Sequence, residues 1–485
     1  MSLFSPKPTA APALAAASPM PAAPAATTTT PAAAPAQPPR VPIGDVGLPR
    51  KLEHRGIVIV GTPGSGKTVA IMNALDVIMS RADQPGFITD RSSIYLQRYF
   101  NPQRGDVILN PADQRAPAWS PLAEFEDYYS AESLSKSIIP AGTGEGAEWR
   151  AYAQSILQSI LEHAWENNLA NKDIFFLGVA EEPKNLAAIC SGTAAEGLFA
   201  RGAEKMLSNA RAILSTFLNP ILRLDPGAGR SAFSIRQHIK SGAPGWLFFP
   251  YSAPQLKVFA TLAASMADIW AEALMSLPPD ENRRRWLVMD EFASLGKIAS
   301  IEDFVTNARK YGGASILGMQ NISQIEVLYG DKNVRTILSS LGNWLILRTA
   351  DADTAEYLSR TLGDKQLSRY VHSAGSGMSG QTASNNESHA EQIVIERAVM
   401  PVEIMKQPDL QAIFNPSGAV PFSTVHIPLP QPRPASSIPE FIARPPWPRR
   451  AAKAAAPVPA AAPAGPAAPA KPSAALASLD LLDQE

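Results

Sequence analysis

The stretch GIVIVGTPGSGKTVAIMNAL, residues 56–75, constrains this chain more than any other. Ile57 to Val60 form an apolar run of strand length. Gly61 and Gly66 then bracket Thr62-Pro63-Gly64-Ser65, Lys67-Thr68 follow, and a helical pattern leads out. A glycine-rich turn between strand and helix points backbone N–H groups inward, and the helix N-terminus adds its dipole, so the turn is a cradle for an anion. Gly61, Gly64 and Gly66 permit dihedrals and a close approach that a Cβ would block. Lys67 is placed to reach the β- and γ-phosphates of a nucleotide, and Thr68 offers a hydroxyl to Mg²⁺. ATP and Mg²⁺ are therefore the expected ligands.

A phosphate cradle needs an acidic partner on a nearby strand. RRRWLVMDEFASL, residues 283–295, supplies one: Trp286 to Met289 form an apolar strand, with Asp290 and Glu291 at its carboxyl end. That end is where open α/β sheets place their ligands. Asp290 suits Mg²⁺ coordination, and Glu291 suits polarising an attacking water. In GGASILGMQNISQI (312–325), a buried strand ends at Gln320, a position that senses the γ-phosphate in RecA-like ATPases. NWLILRTAD (343–351) is a further buried strand ending at Arg348. That arginine is either a surface ion-pair partner or, in a ring, a finger reaching the neighbouring subunit's phosphate.

Periodicity predicts an α/β order. Strands are expected near 56–61, 86–90, 106–109, 245–251, 286–290, 314–319 and 343–348, and helices near 66–82, 255–277, 298–311, 321–329 and 352–363. Parallel crossovers would cover both faces of the sheet. Residues 118–232 carry apolar spacings of three and four and read as an inserted all-α domain. It divides the nucleotide-binding domain into 51–117 and 233–427. Residues 366–397, rich in Ser, Gly and Gln, read as a mobile loop. Of the 45 prolines, 26 lie before residue 51 or after residue 427. Residues 1–50 and 428–485 therefore read as disordered Ala/Pro-rich tails. The acidic tip SLDLLDQE (478–485) is either a docking motif or a plain end.

A net charge of −1 announces no general affinity for nucleic acid, although such charge can be confined to a channel. The single cysteine, Cys190, excludes an internal disulfide, suits a reducing compartment, and reads as a buried thiol. The uncharged stretch between Lys7 and Arg40 is broken by prolines and nearly devoid of Leu, Ile and Phe. It is neither a spanning helix nor a signal sequence. The chain reads as soluble and cytoplasmic.

Assembled, these segments resemble the type IV secretion coupling proteins of the TraD/TrwB group, ATPases that hand DNA to a conjugation channel. GDVILNPADQRAPAWSP (105–121), AEWRAYAQSIL (147–157), AEGLFA (195–200), AFSIRQHI (232–239), LVMDEFASLGKIASI (287–301), LGMQNISQIEVLYG (317–330) and RAVMPVEIMKQPDLQAIF (397–414) carry the resemblance. It covers residues 51–425. It implies a RecA-like P-loop domain with an all-α domain facing relaxosome proteins, and a homo-hexameric ring that moves DNA without sequence preference into the type IV secretion channel. By position, Lys67 and Thr68 hold phosphate and Mg²⁺, Asp290 and Glu291 serve metal and water, Gln320 senses phosphate, and Arg348 matches a family arginine. Family members usually begin with two transmembrane helices. Here an Ala/Pro stretch stands in their place, so that either a separate membrane anchor protein holds the chain at a peripheral position at the inner membrane or the chain is a shortened relative. The second strand ends TDRSSIY (89–95), where relatives more often carry Asp-Pro and a glycine. Arg309 and Lys310 are candidate DNA grips or a solvated helix end. Two other readings stand beside the motor: a related secretion or packaging ATPase that does not touch DNA, and a non-motor adaptor recruiting relaxosome or effector proteins.

Overall fold

The computed structural model describes residues 39–444 apart from 143, 225–231, 380–381, 419 and 433–436. The tip at 478–485 and most of both tails lie outside the described residues.

Among the described residues thirteen strands form in chain order: β1 Val41–Ile43, β2 Val46–Leu48, β3 Ile57–Val60, β4 Gly86–Arg91, β5 Val107–Ile108, β6 Leu247–Tyr251, β7 Arg285–Met289, β8 Gly313–Met319, β9 Asn343–Ile346, β10 Asp364–Ser379, β11 Thr382–Arg397, β12 Gln411–Asn415 and β13 Ser423–His426. Nine make one sheet in the order β13-β12-β9-β3-β8-β7-β4-β6-β5. The seven strands from β9 to β5 run parallel, and the β12–β13 hairpin closes one edge antiparallel.

Both faces are buried, and the period of two divides them. Ile57 and Ile59 belong to one core with Trp286, Val288, Ile316 and Leu345. Val58 and Val60 belong to the opposite core with Leu287, Met289, Leu317 and Ile346. The helix Lys67–Ile78 contributes Ile71, Leu75 and Ile78 to the first core. The helix Ala253–Met275 contributes to the second and is apolar on nearly every side. It is long and apolar enough to cross a membrane, yet its burial between sheet and helices accounts for that composition.

Between β5 and β6 the chain is helical, with helices Ser130–Ile138, Ala147–Glu166, Asn171–Val179, Pro183–Ile189 and Glu204–Leu222. Their apolar residues, including Leu134, Ile156, Leu157, Ile160, Leu214 and Leu218, join the second core. Cys190 is a buried free thiol within it.

Four expectations need correction. Residues 366–397 lie not in a mobile loop but in the antiparallel ribbon β10–β11, which pairs Asp364 with Arg397 through to Ser379 with Thr382. The stems QLSRYV and EQIVIE carry the β-branched and aromatic residues Tyr370, Val371, Ile393, Val394 and Ile395, which favour strand, and the Ser/Gly/Asn composition belongs to the far end. Residues 41–50 are not tail: Val41, Ile43 and Leu48 are buried against the first core. The C-terminal segment also continues past 428 as ordered chain, with Ala443 bridging Asp113 and Arg444 N–H donating to the Ala112 carbonyl. Finally, the helix Asp331–Ser340 and the strands β12 and β13 were not anticipated.

Candidate nucleotide site

The strand order builds the site. β8 lies between β3 and β7, so the carboxyl end of β8 separates the glycine-rich loop from the acid pair. Gln320, one residue beyond β8, therefore stands between them.

The loop is pinned on both sides. Gly61 N–H donates to the Met319 carbonyl (3.1 Å), and Thr62 N–H donates to the Arg348 carbonyl (2.9 Å). Ser65 Oγ donates to the Thr62 carbonyl at 2.7 Å and closes the turn. A Cβ on Gly61 would stand 2.6 Å from Ser65 Oγ and 2.7 Å from Leu347 Cβ. Gly66 has φ +117° and precedes a helix that starts at Lys67 without a side-chain cap. The first-turn amides of that helix have no partners within it, so they face whatever occupies the cleft.

Lys67 is 8% exposed, and its Nζ donates to the Gly61 carbonyl at 2.7 Å. Burial lowers its pKa, and the carboxylates of Glu291 and Asp290 oppose that shift. Thr68 Oγ1 donates to Asp290 Oδ2 at 3.0 Å. Glu291 is buried, and Gln320 Nε2 donates to its Oε2. Burial raises the Glu291 pKa, with the Gln320 hydrogen bond and the Lys67 charge pulling the other way. Thr62, Pro63, Gly64, Gly66, Lys67, Thr68, Asp290, Glu291 and Gln320 all line one cleft of about 340 Å³, large enough for a nucleotide.

The donor set fits Mg²⁺. A hydroxyl and a carboxylate oxygen 3.0 Å apart face the cleft, and Mg²⁺ takes few protein oxygens, completing its shell with phosphate and water. Among the described residues no group of three or more His, Cys, Asp or Glu converges on a metal.

Sequence reasoning missed two residues. Tyr95 is fully buried, and its hydroxyl donates to Asp290 Oδ2 at 3.0 Å, the same oxygen that Thr68 engages. Arg91, at the end of β4, lines the cleft beside Glu291 and Gln320. Both belong to TDRSSIY. There Ser92 and Ser93 take left-handed φ values of 67° and 55°, a conformation that favours glycine. The departure from the family's glycine was the available signal.

Asp90, in the same segment, is completely buried. Its Oδ2 accepts from Leu96 N–H at 2.6 Å, while Oδ1 has no partner. Burial raises its pKa from 3.8 to about 7, against the pull of backbone N–H donors. A carboxyl whose folded pKa is raised favours the fold most below about pH 4 and loses that advantage as pH climbs to about 7. Asp90→Asn should therefore gain on the wild type by up to about 1.4 kcal/mol per pH unit across that window. Thermal unfolding of both proteins from pH 4 to pH 8 measures it, and parallel curves would refute it.

Gly318 couples the sheet to the acid pair. A Cβ there would stand 2.1 Å from the Asp290 carbonyl oxygen. Gly318→Ala must push β8 from β7 and should cost about 1–3 kcal/mol, with weaker Mg²⁺-dependent ADP binding because Asp290 moves. Calorimetric titration with and without Mg²⁺ reads the second effect; an unchanged Mg²⁺ dependence would show that Asp290 kept its place.

Arg348 does not join the cleft. Its Nη2 pairs with Asp409 Oδ1 at 2.6 Å, and only its backbone carbonyl touches the glycine-rich loop. Arg309 and Lys310 are exposed at the amino end of β8, the sheet edge opposite the cleft.

A family model described as the type IV secretion-system coupling protein DNA-binding domain matches residues 40–428. Coupling protein TraD of Escherichia coli (strain K12) is 25% identical over 412 residues, covering 83% of this chain and 56% of TraD. The chain thus spans about half the length of that relative. The unbound structure of bacterial conjugative coupling protein TrwBdeltaN70 superposes with TM-score 0.75 at 30% identity, covering 83% of this chain and 91% of the other. TrwB in complex with ADP and Mg²⁺ superposes with TM-score 0.73 at 28% identity, covering 84% and 92%. The family model spans four-fifths of the sequence and takes in the loop, the acid pair and Gln320, so this chain belongs to the type IV secretion-system coupling proteins through their DNA-binding domain.

Proposed function

We propose that the protein is an ATP-hydrolysing motor that moves DNA without sequence preference toward a type IV secretion channel. The observation that carries this reading is the convergence of Lys67, Thr68, Asp290, Glu291 and Gln320 on one cleft at the carboxyl ends of β3, β7 and β8. Binding of ADP and Mg²⁺ by TrwB, which shares this fold, supports ATP as the substrate here.

Lys67 exchanges the Gly61 carbonyl for the β- and γ-phosphates, and the loop amides hold the same anion. Thr68 and Asp290 would hold Mg²⁺, which would supply charge neutralisation on those phosphates. Tyr95 keeps Asp290 in position. Glu291, its pKa raised by burial, orients the attacking water and takes its proton. Gln320, bonded to Glu291, reports loss of the γ-phosphate to the helix Ile322–Tyr329 that follows it.

The active form is a homo-hexamer in which Arg348 leaves Asp409 and reaches a neighbour's phosphate. Relaxosome proteins dock on the helical region. The protein works in the cytoplasm at the inner membrane. DNA is gripped through its phosphates, so affinity falls steeply with salt.

Steady-state ATP hydrolysis with and without single- and double-stranded DNA tests the reading. Several-fold DNA stimulation, lost in Lys67→Ala, is the expected result. Hydrolysis indifferent to DNA would favour an export ATPase that does not touch DNA. Tight nucleotide binding without turnover would favour an adaptor.

A further inference from the structure

A second cavity, of about 300 Å³, lies where the helical region meets the loop after the acid pair. Two cations converge there. Lys297 sits six residues beyond Glu291, and its Nζ donates to the Ala141 carbonyl at 3.0 Å. Arg150, in the first turn of the helix Ala147–Glu166, donates to the Pro140 carbonyl at 3.1 Å, and its guanidinium lies 5.4 Å from the Phe217 ring centre. Both line the cavity. Burial and then the charge of Arg150 lower the Lys297 pKa, with the Glu302 carboxylate pulling the other way. Each is held by a neutral carbonyl, and among the described residues neither is bridged to a carboxylate. Two partly buried cations thus line one cavity, with Glu302 acting on Lys297 only at a distance and no ion pair to either among the described residues.

The walls say what kind of anion fits. Gly142, Gly146 and Gly296 bring backbone close without side chains, while Phe217, Leu295 and Leu328 supply apolar surface. That combination suits a phosphate group attached to a less polar body. The cavity also shares a wall with a hollow beside the nucleotide cleft. Val327 and Leu328 line both it and an adjoining hollow that reaches Arg91, Glu291 and Gln320.

We propose that the cavity between Arg150 and Lys297 binds a phosphate group, carried by a single-stranded nucleic-acid segment or free in solution, and couples its occupancy to the acid pair. The strand form of the proposal rests on the DNA-motor reading above; the free-phosphate form does not. Coupling has two physical routes. The segment from Phe292 to Lys297 runs directly from Glu291, and the helix Ile322–Tyr329 runs from Gln320 to the cavity wall.

The competing explanation is that both cations only tie the 139–142 segment to its neighbours. Lys297→Gln separates the two, because an amide still donates to the Ala141 carbonyl but carries no charge. Binding of a fluorescein-labelled single-stranded oligonucleotide is measured by anisotropy across salt concentrations. Lys297→Gln should weaken it about 10-fold and lower the log–log salt slope by about one. Lys297→Arg should restore both, and melting temperatures should match the wild type. Unchanged affinity and slope in Lys297→Gln would overturn the strand form.

If the wild type binds no oligonucleotide, the DNA-motor reading falls, and inorganic pyrophosphate decides the rest. The comparison uses Lys67→Ala with and without Lys297→Gln, so that the glycine-rich loop does not contribute. Thermal protection by pyrophosphate that disappears with Lys297→Gln supports the free-phosphate form. Equal protection in both, or none in either, overturns it.

Discussion

Glu291→Gln should lower kcat for ATP hydrolysis about 10³-fold while leaving ADP affinity within about threefold of the wild type. The substitution keeps the volume of a buried side chain and leaves an oxygen to accept from Gln320. It removes only the negative charge and the capacity to take a proton from water. Binding relies on the loop amides, Lys67 and Thr68, none of which moves. Phosphate release and calorimetric ADP titration read the two quantities separately. A kcat within a few-fold of the wild type would show that another group positions the water. A parallel loss of affinity would show that Glu291 acts through the fold of the cleft.

Lys67→Ala should abolish stabilisation by nucleotide. At 100 times its dissociation constant, a ligand that binds only the folded state stabilises it by about 2.7 kcal/mol, a shift of several degrees in Tm that differential scanning fluorimetry detects readily. The ligand-free variant should melt at or slightly above the wild type. Lys67 is a buried ammonium whose pKa is lowered by desolvation and which is held by a loop carbonyl, so its removal relieves a cost as well as losing a contact. A full nucleotide shift in the variant would remove Lys67 from the binding site. A ligand-free variant that melts far below the wild type would give the side chain a structural role.

The elements most legible in the sequence are those whose signal lies within about ten residues. The glycine-rich turn declares its backbone conformation through Gly61, Gly64 and Gly66. The helix after it and the seven parallel strands declare themselves through apolar runs of strand length, and each was expected within a few residues of where it lies. The carboxyl-end positions of Asp290, Glu291 and Gln320 follow from the ends of those runs. The β10–β11 ribbon was misread because its Ser/Gly-rich far end outweighed the β-branched and aromatic residues of its stems. The buried hairpin at 41–48 was masked by its position beside the Ala/Pro stretch.

What only the tertiary structure decided is the pairing of distant groups. Strand order is set by the summed burial of both sheet faces, and no local pattern encodes it, yet it is the placement of β8 between β3 and β7 that brings Gln320 to Glu291 and Asp290 to Thr68. The same holds for Tyr95, 195 residues from the carboxylate it engages, and for Arg348, whose pairing with Asp409 removes it from the cleft of its own chain. Dihedral preference and hydrophobic period act over a few residues and can be read directly from the sequence. Contacts between residues far apart in the chain exist only because the packed core brings the strand ends together.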